Sequence, residues 1–143
     1  MRAQLQAPFW AKICYTTTMK LTANMEDYLE AISFCAGENG MARVSDIRDM
    51  LGVKTPSVTG AIKALAQEGY VVHAPYSGIT LTAKGRRAAE DVKKRHAIFK
   101  RFLEQVLGVN PKTAEEDACK MEHTVSKETM NKLHAYLHKI AGE

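Results

Sequence analysis

Three residues that bind metals or move protons stand close together late in the chain. Cys119, Glu122 and His123 fall at i, i+3 and i+4 within "DACKMEH" (117–123). On a helix that spacing puts a thiol, a carboxylate and an imidazole on one face. Two chemistries use such a face. A thiol beside an imidazole can be a nucleophile with its base. A mixed set of carboxylate, imidazole and thiolate can hold a divalent metal. Further residues elsewhere suit the second chemistry. Asp27 and Glu30 share a helix side at i, i+3 in "MEDYLEAI", and His96 lies in "RHAIFKRFL". The candidate ligands are therefore Asp27, Glu30, His96, Cys119, Glu122 and His123, on three helical stretches. Taken singly, each pair is an ordinary feature of a solvated helix. No oxyanion-type loop, substrate motif or third triad member stands near Cys119 and His123, so an enzyme is not expected. His134 and His138 flank an apolar stripe and read as edge residues, and Cys35 reads as core.

These residues need helices to position them. From Asn24, read as a cap, "NMEDYLEAISFCAGENG" carries an apolar stripe of Met25, Leu29, Ile32 and Cys35 or Ala36, ended by Gly37 and Gly40. "ARVSDIRDMLGV" predicts a short helix capped by Ser45, carrying Ile47, Met50 and Leu51 and closed by Gly52. "KTPSVTGAIKALAQEGYV" predicts the next, with Thr55 as cap, Pro56 at its start and Val58, Ile62 and Leu65 inward. Two short helices across a tight glycine turn make a helix-turn-helix candidate. "YVV" and "ITL", around the turn residues "APYSG", predict a hairpin directly after it, hence a wing that includes His73. A long helix then runs towards Gly108. Asn110, with Pro111, caps a fifth helix, and Ser126 caps a sixth striped by Met130, Leu133, Leu137 and Ile140.

The charge is uneven. Residues 40–102 hold 12 Lys/Arg against 5 Asp/Glu, a net +7, while the ends are mildly acidic and the whole chain is +4. A basic winged helix-turn-helix points to double-stranded DNA. Lys54, Thr55, Ser57, Thr59 and Lys63 lie at the leading end of the second helix of the pair, which enters the major groove in such folds. Tyr76, at the wing tip, is placed to touch the backbone. No Arg, Asn or Gln stands among these leading residues, so DNA shape and thymine methyl contacts share the readout. A winged helix used only for protein contacts is the rival reading.

The chain is 143 residues long, enough for one domain or a small domain with an appendage. Three dispersed cysteines, at 14, 35 and 119, argue against a disulfide framework. No apolar run reaches membrane-span length, and the first residues make a poor signal peptide, so the expectation is a cytoplasmic protein. Residues 1–20 show no periodicity and read as an N-terminal extension, or as sequence ahead of a start at Met19.

Across about residues 22–140 the sequence resembles the diphtheria toxin repressor and manganese transport regulator group of metal-dependent transcriptional repressors. The residues that carry the resemblance are "MEDYLEAI" (25–32), "ARVSDIRDMLGVKTPSVT" (42–59), "GITLTAKG" (78–85), "RHAIFKRFL" (95–103), "LGVNP" (107–111) and "DACKMEHTVS" (117–126). It implies a mainly α protein. A winged-helix DNA-binding domain (21–90) would precede a helical metal-binding and dimerisation domain (91–143). It also implies a homodimer on a palindromic operator, repressing metal-uptake genes when Mn²⁺ or Fe²⁺ is bound. Manganese-type members use an acid pair matching Asp27 and Glu30, a histidine matching His96 and a Glu–His pair matching Glu122 and His123. Cys119 departs towards the iron-type branch, which in turn has methionine where Asp27 stands. The iron-type branch also builds a second site from the histidine and a glutamate four residues on, where this chain has Lys100. The chain stops at 143 without the SH3-like domain of many iron-type members, and resembles the manganese type more.

Overall fold

The computed structural model describes residues 21–142, and the extension expected over 1–20 lies outside the described residues. Among the described residues, six helices and one small sheet follow in chain order. They are α1 (Ala23–Ala36), α2 (Val44–Leu51), α3 (Thr55–Gln67), β1 (Val71–His73), β2 (Ile79–Leu81), α4 (Ala83–Gln105), α5 (Pro111–Met121) and α6 (Lys127–Ala141). The protein is mainly α, as the sequence implied.

Local chemistry fixes most ends. Thr22, not Asn24, caps α1 by accepting from the Met25 amide. The caps of α2 and α3 are Arg43 and Lys54, neither of which makes a side-chain capping bond, rather than Ser45 and Thr55. Pro56 sits in the first turn of α3, where its missing N–H leaves no broken bond. Gly52, at φ 64, supplies the left-handed turn between α2 and α3. Asn110 and Ser126 cap α5 and α6 with their side chains, as read from the sequence. α4 ends at Gln105, short of Gly108.

Two apolar clusters hold the chain. Leu29 and Ile32 of α1, Ile47 of α2, Val58, Ile62 and Leu65 of α3, and Val71 and Ile79 of the hairpin form the first. Met50 of α2 is exposed, with its sulfur 3.7 Å from Cys35 Sγ. Phe99 and Leu103 of α4, Ala114 and Ala118 of α5 and Met130 of α6 form the second. α4 spans both, because Ala89 belongs to the first cluster and Phe99 to the second. Ala42 pairs with Ile79 in both directions at 2.8 Å, adding one rung to the antiparallel β1–β2 hairpin. Gly85 lets the start of α4 press on the hairpin: a Cβ there would lie 2.0 Å from the Tyr70 carbonyl oxygen.

Candidate metal centre and DNA-facing helix

The distant stretches singled out in the sequence meet where α1, α4 and the end of α5 converge. His123 is at the middle. Its Nδ1 lies 2.7 Å from Oε2 of Glu26. If that carboxylate accepts the Nδ1 proton, the Nε2 lone pair is left facing inward. Nε2 stands 2.8 Å from Asp27 Oδ1 and 3.4 Å from Glu122 Oε1. It is nevertheless a buried atom with no hydrogen-bond partner, so both approaches are ionic contacts and not hydrogen bonds. Asp27, Glu122 and His123 thus bring one potential ligand atom each within 4.8 Å of one another.

His96, Glu115 and Cys119 form a second trio of the same compactness. His96 Nε2 is 3.0 Å from Glu115, and Cys119 Sγ is 3.6 Å from His96 Nδ1. His96 also joins the two trios, with Nδ1 2.8 Å from Glu122 Oε2. Of the six ligands expected, five fall in the trios. Glu30 belongs to neither, although its charge acts on both Glu122 and Cys119. Lys100 approaches Glu115 at 2.6 Å, so a cation already occupies one side of the second trio.

Three participants were missed. Glu26 is buried on α1 and receives Arg95 Nη2 at 3.0 Å as well as His123. Arg95 also donates to the Glu122 backbone carbonyl at 2.6 Å, tying α4 to the turn after α5. Glu115 is the third. Two signals were available: Glu26 lies one turn before the core residue Leu29, and Arg95 adjoins His96.

The electrostatics follow from crowding carboxylates into a partly dry region. Burial, then the charges of Glu122, Glu115, Glu30 and Asp27, push the Cys119 thiol up to about 11. Burial and the charge of Glu30 push Glu122 up to about 7, with His96 pulling the other way. Burial opposes a charged His123, but the bond to Glu26 and the charges of Asp27, Glu122 and Glu26 outweigh it and raise its pKa. The Lys100 ammonium holds Glu115 below the ordinary range. The centre therefore retains protons where its geometry brings negative groups together, and a divalent cation relieves such crowding. Three carboxylates, two imidazoles and one thiol form a donor set that fits Mn²⁺ or Fe²⁺. The orphaned Nε2 of His123 is the observation in favour of a cation there.

Away from these trios, Lys54, Thr55, Ser57, Thr59 and Lys63 are all exposed along α3 or just before it. The Thr59 hydroxyl donates to the Thr55 carbonyl at 3.1 Å, so its methyl group is turned to other uses. Tyr76 is fully exposed at the hairpin tip with φ 62, the left-handed region. Gly60, in the middle of α3, meets nothing of the chain within 4 Å of where a Cβ would stand.

Comparison with known proteins agrees with this two-part arrangement. Residues 20–79 match the family model for the iron dependent repressor N-terminal DNA binding domain. Residues 82–142 match that for the iron dependent repressor metal binding and dimerisation domain. An uncharacterised HTH-type transcriptional regulator of Methanocaldococcus jannaschii is 38% identical over 121 residues, covering 84% of this chain and 97% of that protein. The transcriptional regulator MntR of Escherichia coli is 41% identical over 115 residues, covering 80% of this chain and 74% of that protein. Among solved structures, a manganese-dependent transcriptional repressor in complex with manganese superposes with TM-score 0.72 at 30% identity, over 79% of this chain and 52% of that one. The manganese regulator SloR superposes with TM-score 0.72 at 28% identity, over 84% of this chain and 55% of that one. The chain spans about half the length of those two solved regulators. With both domain models matched in order, and with relatives covered over most of their length, the chain belongs to the iron-dependent repressor family of metal-dependent, DNA-binding transcriptional regulators.

Proposed function

We propose that this protein is a cytoplasmic repressor of metal-uptake genes that binds a palindromic operator as a homodimer when Mn²⁺ or Fe²⁺ is present. Asp27, His96, Cys119, Glu122 and His123 are its ligands, with Glu115 in the second trio beside them and Glu30, whose charge acts on Glu122 and Cys119, as a sixth expected ligand. The single observation that carries the reading is His123 Nε2, buried between Asp27 and Glu122 without a hydrogen bond. When bound, the ion supplies a concentrated positive charge that neutralises the carboxylates.

The chain's own residues explain why that would control DNA binding. Asp27 sits on α1, whose apolar side packs into the same cluster as α2 and α3. Glu122 and His123 follow α5, beyond the second cluster. The trio therefore joins the half carrying the recognition helix to the half matched by the dimerisation model. With the trio uncompensated, Asp27, Glu30 and Glu122 repel and loosen that join. With it compensated, the join stiffens, which favours one spacing of the two α3 helices in a dimer. A palindrome read in successive major-groove turns sets that spacing at about 34 Å or a multiple. Such a ligand acts by population shift, and a coupling of about 1–3 kcal/mol corresponds to about 5- to 150-fold tighter operator binding.

The test is a titration of Mn²⁺, anaerobic Fe²⁺ and Zn²⁺ into chelator-treated protein, read by binding to DNA from its own promoter. Tightening with Mn²⁺ or Fe²⁺, reversed by chelator, supports the reading. Equal binding in chelator would instead leave a metal-independent winged-helix factor. Turnover of a substrate by the loaded protein would revive the enzyme reading.

A further inference from the structure

The geometry points to a separate metal site on α6, formed by His134 and His138. The two imidazoles lie one helical turn apart, and their Nε2 atoms approach to 3.0 Å. The ring centroids are 4.4 Å apart and the planes cross at 78°, so one ring presents its edge to the other and the two nitrogens converge. Between two neutral rings such an approach is a hydrogen bond, with one Nε2 donating and the other accepting. The same separation suits two nitrogens bound side by side to one divalent ion, each at about 2.0–2.1 Å. A helix holds i and i+4 side chains on one face without further folding. The second imidazole is then supplied at high local concentration, which raises affinity by about a hundredfold over a single histidine.

The chemistry of the pair selects its ion. Imidazole suits Zn²⁺, Ni²⁺ and Cu²⁺, while carboxylate-rich sites suit Mn²⁺, and Mn²⁺ stands lowest in the general affinity order. The site would take the later divalent ions and leave Mn²⁺ to the carboxylate-rich centre. Its place is also distinct. His134 lines a cavity of about 660 Å³ between α4 and α6, together with Asn131 and Asp91. Glu26 and Arg95 line the same cavity, but none of Asp27, Glu122 and His123 does. Ions taken up on α6 therefore load a helix of the dimerisation half without entering the trio.

Ni²⁺ is the probe of choice, because it favours imidazole and would not oxidise Cys119. The number of ions per subunit and their affinities are measured by equilibrium competition with a chromophoric chelator. Wild type, His134→Ala and His138→Ala are compared, with circular dichroism to check that both variants fold. The expected result is one more Ni²⁺ per subunit in the wild type than in either variant, or a weakening of that ion of about a hundredfold in both. Mn²⁺-dependent DNA binding should be unchanged. Equal Ni²⁺ stoichiometry and affinity in all three proteins would overturn the proposal. So would loss in only one variant, since a chelate needs both rings.

Discussion

Glu26 gives the centre its orientation. It is not aimed at the region where Asp27 and Glu122 converge; its Oε2 meets His123 Nδ1 and Arg95 instead. Groups that hold a ligating histidine in one tautomer commonly matter about 10- to 100-fold in metal affinity. Glu26→Gln keeps the size but loses the charge that favours the proton on Nδ1. Mn²⁺ affinity should fall within that range while the variant still folds, measured by competition with a fluorescent chelator. Unchanged affinity would show that His123 is held by packing alone. Cys119 carries the other residue-scale prediction. Its thiol, pushed up to about 11, resists the ionisation that a ligand needs. Cys119→Glu replaces a soft donor by a hard one and should move preference towards Mn²⁺ over Fe²⁺. An unchanged ratio of the two affinities would remove Cys119 from the choice of metal. At this scale, the candidate metal-binding side chains that the fold brings into the two trios were legible from their types and spacing: Asp27, His96, Cys119, Glu122 and His123. Glu26, Arg95 and Glu115 were not, because a charged residue on an amphipathic helix reads as solvated until a partner from another helix covers it.

Among the elements, α3 shows a glycine that its own packing does not demand. A Cβ at Gly60 would meet open space, yet glycine in a helix interior costs about 0.8–1 kcal/mol relative to alanine. Gly60→Ala should therefore stabilise the folded chain by about that amount, read as a higher Tm. If α3 lies against DNA, the added methyl stands on the exposed face with Ser57 and Lys63 and should weaken operator binding. A variant more stable and equally tight would show that this turn of α3 stays clear of DNA. Element order was readable because Pro56, Pro111, Asn110 and Ser126 mark helix starts by mechanisms that act within a few residues. The starts of α1, α2 and α3 were placed differently because several capping residues compete there. Thr22 outcompetes Asn24, and the bond from the Met25 amide decides it.

Over the whole molecule, the centre links folding to pH. Glu122 is raised from 4.5 to about 7, and His123 is raised from 6.5. Both hold protons in the folded chain at pH values where the unfolded chain has released them. Stability of the metal-free protein should thus fall as pH rises from about 4.5 through about 7 and slightly beyond. Glu115 and Asp49, held low by Lys100 and Arg48, act on the acid side of that window. Because a bound cation favours the deprotonated groups, Mn²⁺ should raise Tm more at pH 8 than at pH 6. Thermal unfolding at both pH values, with chelator and with excess Mn²⁺, checks the sign. An equal gain at the two pH values would mean that these protons are not displaced on binding. The two-cluster plan, with α4 running through both, follows from its length and from Ala89 and Phe99 falling in different cores. Helical periodicity gave the length but not which helices close around it.

In the proposed mechanism, a cation at the Asp27–Glu122–His123 convergence couples the recognition helix to the dimerisation half. The most direct measurement is operator binding by wild type and His123→Ala across a Mn²⁺ titration, with dimerisation followed by sedimentation. Operator binding by the wild type should tighten about 5- to 150-fold with Mn²⁺ and revert in chelator. His123→Ala should stay dimeric and bind DNA weakly at every Mn²⁺ concentration. A variant that responds to Mn²⁺ as the wild type does would show that the coupling does not run through His123.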